Sequence, residues 1–472
     1  MIFKRMFDPK LAQASYLIGC SAAREALVVD PNRNVNQYLD AAAEEGLRIA
    51  HVTETHIHAD FVSGARELAH RSGARLYLSD AGGNDWRYRY AADANATLLN
   101  DGDGLRFGAV QLRVLHLPGH TPEHLAFMVT DTAAAPEPMG VLTGDFLFVG
   151  DVGRPDLLER AVRAAGTMQE SARQLYRSLQ RFRDLPDYLQ LWPGHGAGSA
   201  CGKSLSAMPQ STLGYEKRFN WAFGVTDEAE FIRAVLAGQP DPPRYFAEMK
   251  RINQSGPALL GGLRSPALLP LGNLVSALAT GGTVVDTRPS QEYGRGAIPG
   301  TINIPATRTF TTWAGSLLPY DRELYLIMGD QRERLVEELV GDLAGIGLDR
   351  VAGYFGSEVI AQWQNTQNLQ RIPSVTLAEV VQSRGNGELL LDVRGAGEWI
   401  AGHLPGALNI PVGELDQRLG EIPRGRPLIV HCQTGARAAM AASLLRARGY
   451  EDVQLFSGGF AQWREAGQPV ET

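Results

Sequence analysis

The chain has few cysteines, no long apolar run and no basic tract. Its 472 residues include only Cys20, Cys201 and Cys432. An odd number of such widely spaced thiols is not a disulfide framework, and it points to a reducing cytoplasm in which a thiol can do chemistry. No apolar stretch is long enough to span a bilayer, so no membrane association is expected. The N-terminus, Met1-Ile2-Phe3-Lys4-Arg5-Met6-Phe7-Asp8, carries two early positive charges with no apolar segment after them, which argues against a secretory signal. With 45 Lys+Arg against 52 Asp+Glu, the formal net charge is -7. That balance argues against nucleic acid or anionic membrane as the main partner.

What is present is an ordinary globular composition, 44% hydrophobic and 21% charged. At this length it predicts roughly three domains. Up to about residue 245, short strand-like runs alternate with helical segments such as 35–45 and 161–182, the pattern of a layered α/β domain. A Pro-rich patch at 239–243 and a Gly/Pro-rich one at 255–266 bracket a predicted linker. An internal repeat follows. Asp286-Thr287-Arg288, Ile298-Pro299-Gly300 and Asn303-Ile304-Pro305 recur as Asp392-Val393-Arg394, Leu404-Pro405-Gly406 and Asn409-Ile410-Pro411, at a constant offset of 106, the difference between 286 and 392. Self-similarity on that scale means two copies of one fold. Each copy opens with a buried-type strand, Thr283-Val284-Val285 or Leu389-Leu390-Leu391, and ends in a Gln-Trp pair, with Pro373 at the seam. The predicted division is 1–245, 246–372 and 373–472.

Chemistry in the first domain centres on Thr55-His56-Ile57-His58-Ala59-Asp60, where a predicted strand gives way to a loop. Two histidines and a carboxylate within five residues make a metal-ligand cluster. Further candidates follow apolar runs at Gly/Pro turns: His120 in Pro118-Gly119-His120, Asp145 in Thr143-Gly144-Asp145, and His195 in Pro193-Gly194-His195. In this ordered spacing the first 245 residues resemble the metallo-β-lactamase superfamily, which implies an αββα sandwich. Where fully loaded members have a further histidine, this chain has Phe61, which cannot ligate a metal. The loss speaks against a two-metal hydrolytic clamp. His56, His120 and Asp145 remain, the two-imidazole, one-carboxylate set of mononuclear non-haem iron oxygenases, although the same ligands would accept zinc.

The segment Gly153-Arg154-Pro155-Asp156 resembles that of one branch, the persulfide dioxygenases. This resemblance implies one Fe(II) per chain on His56, His120 and Asp145, with His58, Asp60 and His195 as supporting or vestigial positions. It also implies thiol persulfide and O2 as substrates and sulfite as product. Cys201, six residues after His195 in a Gly/Ser-rich turn, reads either as a small buried thiol or as a persulfide acceptor at the cleft mouth, with Lys203 favouring thiolate. Arg154, Tyr215, Lys217 and Arg218 are candidate partners for a substrate's carboxylates.

In the last domain, the strand Pro427-Leu428-Ile429-Val430 runs into His431-Cys432-Gln433-Thr434-Gly435-Ala436-Arg437 and then a helical stretch at 438–448. A cysteine in such a loop faces converging N–H groups and the positive end of a helix dipole, which stabilise thiolate or persulfide anion. The loop, with Asp392-Val393-Arg394 and Ser457-Gly458-Gly459, resembles the rhodanese family. The resemblance implies a parallel-sheet α/β fold in both copies, sulfane sulfur on Cys432, Arg437 closing the loop, and Gln433, Thr434, Gly435 and Ala436 cradling it. Four residues separate Cys432 from Arg437, against five in related phosphatases, so sulfur transfer is favoured over phosphate release. The middle copy has Leu326-Ile327-Met328-Gly329-Asp330-Gln331-Arg332 at this place and no nucleophile.

The whole chain thus resembles fusions of a persulfide dioxygenase with an inactive and an active rhodanese domain. That implies oxidation of glutathione or coenzyme A persulfide to sulfite, coupled to thiosulfate formation at Cys432, in a homo-oligomer. Two alternatives remain: a glyoxalase II-like thioester hydrolase with two zinc ions, and a sulfur carrier whose metal domain is not catalytic.

Overall fold

The computed structural model describes residues 1–472 except 158, 160–165, 240, 330–331 and 384–386. The chain forms two compact units, Met1–Leu263 with Ala344–Gly347, and Arg264–Leu343 with Leu348–Thr472.

In the first unit two six-stranded sheets are laid down in chain order. One runs Ile2–Asp8 (β1), Gln13–Cys20 (β2), Glu25–Val29 (β3), Arg48–Thr53 (β4), Arg75–Ser79 (β5) and Thr97–Leu99 (β6). The other, read from its inner hairpins, runs Gly104–Phe107 (β7), Val110–His116 (β8), Leu125–Asp131 (β9), Gly140–Gly144 (β10), Gln190–Pro193 (β11) and Ser211–Thr212 (β12). Alternation of side chains sorts each strand between two layers. Tyr16 and Ile18 of β2 meet Leu112, Val114 and Phe127 of β8 and β9 between the sheets. Leu17 of β2 and Val28 of β3 instead pack outward with Tyr38 and Leu68 of the helices Asn36–Glu44 and Ala65–Ser72. On the far side, Leu175, Leu179 and Phe182 of the helix Met168–Arg183 cover Val141 of β10. This is the αββα sandwich.

Two predicted elements differ in extent. The helix expected over 161–182 is described as Met168–Arg183, and 161–165 lie outside the described residues. The stretch after the Pro-rich patch, which composition assigns to a linker, holds the helix Phe246–Ser255 with Phe246 and Met249 buried, and it belongs to the first unit through Leu263. Composition missed it because its apolar residues are few and flanked by breakers.

The second unit holds two four-stranded parallel sheets of the same topology. Thr283–Asp286 (β13), Ile302–Asn303 (β14), Leu324–Ile327 (β15) and Val351–Phe355 (β16) are ordered β14-β13-β15-β16. Leu389–Asp392 (β17), Leu408–Asn409 (β18), Leu428–His431 (β19) and Val453–Leu455 (β20) are ordered β18-β17-β19-β20. The repeated Asp-x-Arg and Asn residues form the same staple twice. Arg288 pairs with Asp286 at 2.6 Å and Arg394 with Asp392 at 2.7 Å, all buried. Asn303 Nδ2 donates to the carbonyls of Asp286 and Arg288, and Asn409 Nδ2 to those of Asp392 and Arg394. The two lobes touch where Asn303 N donates to Ser443 Oγ (2.9 Å).

Candidate metal centre and sulfur loop

The strand ends of the first unit bring His56, His120 and Asp145 together in its interior. Their ligand atoms lie within 4.8 Å of one another and all three side chains are buried. Asp145 Oδ2 is 3.9 Å from His56 Nε2 and 3.6 Å from His120 Nε2. Each imidazole is held from behind. His120 Nδ1–H donates to the Arg154 carbonyl at 3.0 Å. His56 Nδ1–H donates to Thr55 Oγ1 at 2.9 Å, and that hydroxyl donates to Asp30 Oδ2 at 2.9 Å. These partners leave both Nε2 atoms with a lone pair aimed at the carboxylate. Burial and neighbouring imidazoles hold His56 well below the usual histidine range, and burial also lowers His120 against the pull of Asp145.

Among the described residues, His56 Nε2 and both carboxylate oxygens of Asp145 are buried without a hydrogen-bond partner. Orphaned acceptor atoms at this depth are costly unless something binds them, and two neutral imidazoles with one carboxylate suit a divalent cation.

Beside this group lies a second. Asp60, His195 and Cys201 also have ligand atoms within 4.8 Å of one another, all buried. His195 Nε2 is 3.2 Å from Asp60 Oδ2 and 3.5 Å from Asp145 Oδ2, while its Nδ1–H donates to the Ala12 carbonyl at 3.1 Å. Burial pushes Asp60 up from the usual carboxylate range. His58 is turned away, with Nε2 3.2 Å from Asp30 Oδ1. Burial opposes its charge, but Asp30, Glu54 and Asp60 outweigh that and raise it to about 9. Phe61 is wholly buried against the His58 ring, with centroids 4.3 Å apart.

The expectation for Lys203 is corrected. Its Nζ donates to the Ala234 carbonyl at 2.6 Å and lies over the Trp221 ring, so it does not serve Cys201. Burial, with Asp60 and Asp145 nearby, pushes the Cys201 thiol well up. Arg154 is likewise not free for a substrate. It is buried, Nε and Nη2 donate to the two Asp156 oxygens at 2.8 Å, and Nη1 donates to the Ala200 carbonyl at 3.1 Å. Its backbone N–H donates to the Cys201 carbonyl at 3.2 Å, so Arg154 ties the His120 side to the Cys201 turn. Tyr215 and Arg218 are exposed on the helix Leu213–Phe219, and Lys217 Nζ is held by Asp187 Oδ1 at 2.6 Å and the Leu185 carbonyl at 2.7 Å.

Sequence reasoning passed over three supports, Asn253, Glu123 and Asp30, and set a fourth, His124, aside as structural rather than ligating. Asn253 Nδ2 donates to the carbonyls of His58 (2.8 Å) and Phe61 (2.7 Å), and its Oδ1 accepts from Ser63 N (2.9 Å). Glu123 Oε1 accepts from Ile57 N (2.8 Å), and burial raises its carboxyl to about 7. His124 Nε2 accepts from Asp145 N (3.0 Å), and Asp30 Oδ1 accepts from Thr55 N (2.6 Å). Of these only Asp30, at the end of β3, shows the strand-end signal that marked the ligands.

In the second unit β19 delivers Cys432 into the turn ahead of the helix Ala436–Ala447. Gly435 N donates to Cys432 Sγ at 3.1 Å. Gly435 has φ 95, and a Cβ there would lie 2.6 Å from the Ser457 carbonyl oxygen. A Cβ on Gly459, at φ 58, would lie 2.3 Å from the Cys432 carbonyl oxygen. Ser457-Gly458-Gly459 therefore closes on the loop so tightly that side chains are excluded. Gln433 Oε1 accepts from Arg394 Nη1 at 3.5 Å, and the Gln433 carbonyl accepts from Ala461 N. Arg437 donates to both Glu398 oxygens at 2.6 and 2.8 Å, which raises its own affinity for the proton. In the other lobe the residue after the strand is Met328, a buried thioether whose N–H donates to the Phe355 carbonyl. The next positions of that loop, 330–331, lie outside the described residues.

A profile described as Metallo-beta-lactamase superfamily matches residues 9–195, and one described as Rhodanese-like domain matches residues 376–466. The mitochondrial persulfide dioxygenase ETHE1 of Bos taurus is 30% identical over 202 residues, 41% of this chain and 68% of that protein. A solved metallo-beta-lactamase from Staphylococcus aureus subsp. aureus COL is 45% identical, with a TM-score of 0.69, over 75% of this chain and 99% of that one. The chain belongs to the metallo-beta-lactamase superfamily. It combines this domain, with persulfide dioxygenase relatives, and a C-terminal rhodanese-like domain. Within the superfamily it is also similar to the hydroxyacylglutathione hydrolase of Gloeobacter violaceus, 33% identical over 181 residues, 38% of this chain and 62% of that protein. The combination makes it a sulfur-related enzyme with a metal site for which His56, His120 and Asp145 are the candidates. No helix among the described residues is long and apolar enough to cross a membrane.

Proposed function

We propose that this chain oxidises a low-molecular-weight thiol persulfide, glutathione or coenzyme A persulfide, with O2 to sulfite and free thiol. Its C-terminal domain then passes sulfane sulfur from Cys432 to sulfite, giving thiosulfate. The observation that carries the reading is the pair of oriented, unprotonated Nε2 atoms and the unpartnered Asp145 carboxylate, with Phe61 removing a ligand from the neighbouring position. Fe(II) held by His56, His120 and Asp145 would supply the redox chemistry with dioxygen and a coordination position for sulfur. Thr55, Asp30 and the Arg154 carbonyl fix the ligating rings. Asp60, raised by burial and 3.2 Å from His195, is placed to hold a proton at Oδ2. Overall, RSSH, O2 and H2O give RSH, SO3²⁻ and two protons.

In the second unit Gly435 N–H stabilises negative charge on Cys432 Sγ. Sulfite attacks the outer sulfur of the Cys432 persulfide, the Sγ–S bond breaks, and the electron pair leaves on Sγ; Cys–S–S⁻ and SO3²⁻ give Cys–S⁻ and S2O3²⁻.

The test is oxygen uptake by iron-loaded protein given glutathione persulfide, with sulfite and thiosulfate quantified. The expected result is uptake that disappears in His120→Ala together with stoichiometric iron. Hydrolysis of a glutathione thioester by protein holding two zinc ions, without oxygen uptake, would move the assignment to a thioester hydrolase. Unchanged sulfur transfer in metal-free protein that never consumes oxygen would make it a sulfur carrier.

A further inference from the structure

The cleft beside the Cys432 loop is larger than transfer to an inorganic anion requires. Its volume is about 800 Å³, within the range of pockets that enclose organic ligands. Thr434, Gly435 and Ser457 form one wall, and the lobe without a cysteine forms the other through Ser290, Gln291 and Arg295. Arg295 is the single charged residue among the described residues lining the cleft. It is exposed at the end of the helix Ser290–Arg295. The cations nearer the sulfur are already committed, Arg437 to Glu398 and Arg394 to Asp392. An anionic group entering the cleft therefore meets one available positive charge, and the degenerate lobe provides it.

We propose that this cleft binds the organic body of a carboxylate-bearing thiol of about tripeptide size, with Arg295 pairing to a carboxylate while the thiol exchanges sulfane sulfur with Cys432. The inference rests on the persulfide chemistry proposed above for Cys432, and it adds a role, recognition of the thiol's carboxylate, for the lobe that lost its nucleophile. In the transfer step the thiolate RS⁻ attacks the outer sulfur of the Cys432 persulfide. A new S–S bond forms, the Sγ–S bond breaks, and its electron pair stays on Sγ, where Gly435 N–H receives the charge. Cys–S–S⁻ and RS⁻ become Cys–S⁻ and R–S–S⁻, with no outside oxidant or reductant. A guanidinium suits the carboxylate because it can donate two parallel hydrogen bonds.

Two readouts test this on the full chain. Calorimetric titration of C432S with S-methylglutathione, which keeps both carboxylates and has no free thiol, should show a binding component that weakens about tenfold in C432S/R295E and partly in C432S/R295Q. With Cys432 intact, R295E should raise KM for glutathione as sulfur acceptor about tenfold relative to 2-mercaptoethanol, which has no carboxylate, with kcat for both little changed. Binding and KM that ignore Arg295, alongside active transfer, would overturn the cleft assignment and leave the role of Cys432 standing. Equal losses with both thiols would overturn it too, since they report a disturbed fold. Arg295-dependent binding without transfer to any thiol would support the cleft while overturning the Cys432 chemistry beneath it.

Discussion

Thr55 and Asn253 grip the metal loop from two sides, and neither offers an atom to the metal. Thr55 passes the orientation of Asp30 to His56 through one hydroxyl. Thr55→Val keeps the shape and removes that link, so metal affinity should fall about 10- to 100-fold, read by competition with a chelator. Asn253→Ala strands Ser63 N–H and the His58 and Phe61 carbonyls in the interior. It should cost about 1–3 kcal/mol in denaturant unfolding and weaken metal binding as well. The two residues differ in how legible they are. Thr55 adjoins a ligand and could be suspected from the motif, whereas Asn253 lies 195 residues from its partner His58, and a hydrogen bond between distant segments leaves no periodicity to read. The same reason explains why Arg154 and Lys217 look like free cations in sequence and prove to be committed. Local spacing announces a charge and says nothing about the acid that folding brings to it.

At the level of elements, strands and turns were the readable part. The strand before His56, the first strand of each repeat and the strand before Cys432 all form near where apolar runs meet Gly, Pro or a ligand. The helix Phe246–Ser255 was not, because it draws its stability from tertiary packing rather than from its own pattern. The sulfur loop depends on two backbones passing within contact distance, which gives a sharp expectation. Gly459→Ala should abolish loading of sulfane sulfur onto Cys432 with the thiol itself untouched, seen as absence of the one-sulfur mass increase after incubation with thiosulfate. The strand that carries the loop also sets a pH window. Burial lowers His431 to about 4, while the unfolded chain titrates near 6.5. Between those values the unfolded state binds the extra proton, so stability rises as pH increases from about 4 to about 6.5 and is level above it. The second unit should therefore lose roughly 3 kcal/mol over that window on acidification, and His431→Gln should flatten the slope of unfolding free energy against pH.

For the whole molecule, the proposed function joins an oxidising and a sulfur-transferring step in one chain, which would raise the local concentration of the shared intermediate. The consequence is a change of product. With glutathione persulfide, Cys432→Ser should release sulfite where the unaltered chain releases thiosulfate, at an unchanged rate of oxygen uptake. A thiosulfate yield that survives the substitution would uncouple the two domains. The paired lobes were visible in sequence through their repeat, but the cleft they share was not, since its walls come from segments more than a hundred residues apart, such as Arg295 and Thr434.

The two small sheets also solve a problem unrelated to sulfur. An open parallel sheet exposes backbone groups on its outermost strands, a template for pairing with another chain. Here one outer strand of each sheet, β14 or β18, is only two residues long. The other is capped by the segment that leads into the lobe. Leu269 N donates to the Tyr354 carbonyl and Tyr354 N to the Ala267 carbonyl along β16, while Val375 N donates to the Leu455 carbonyl and Leu455 N to the Pro373 carbonyl along β20. The outer strands Val351–Phe355 and Val453–Leu455 are thus shielded from intermolecular β-pairing by the incoming chain. Deleting the lead-in segment at 267–269, which lies outside the cleft, should shorten the shelf life of the protein in concentrated solution well before it touches activity.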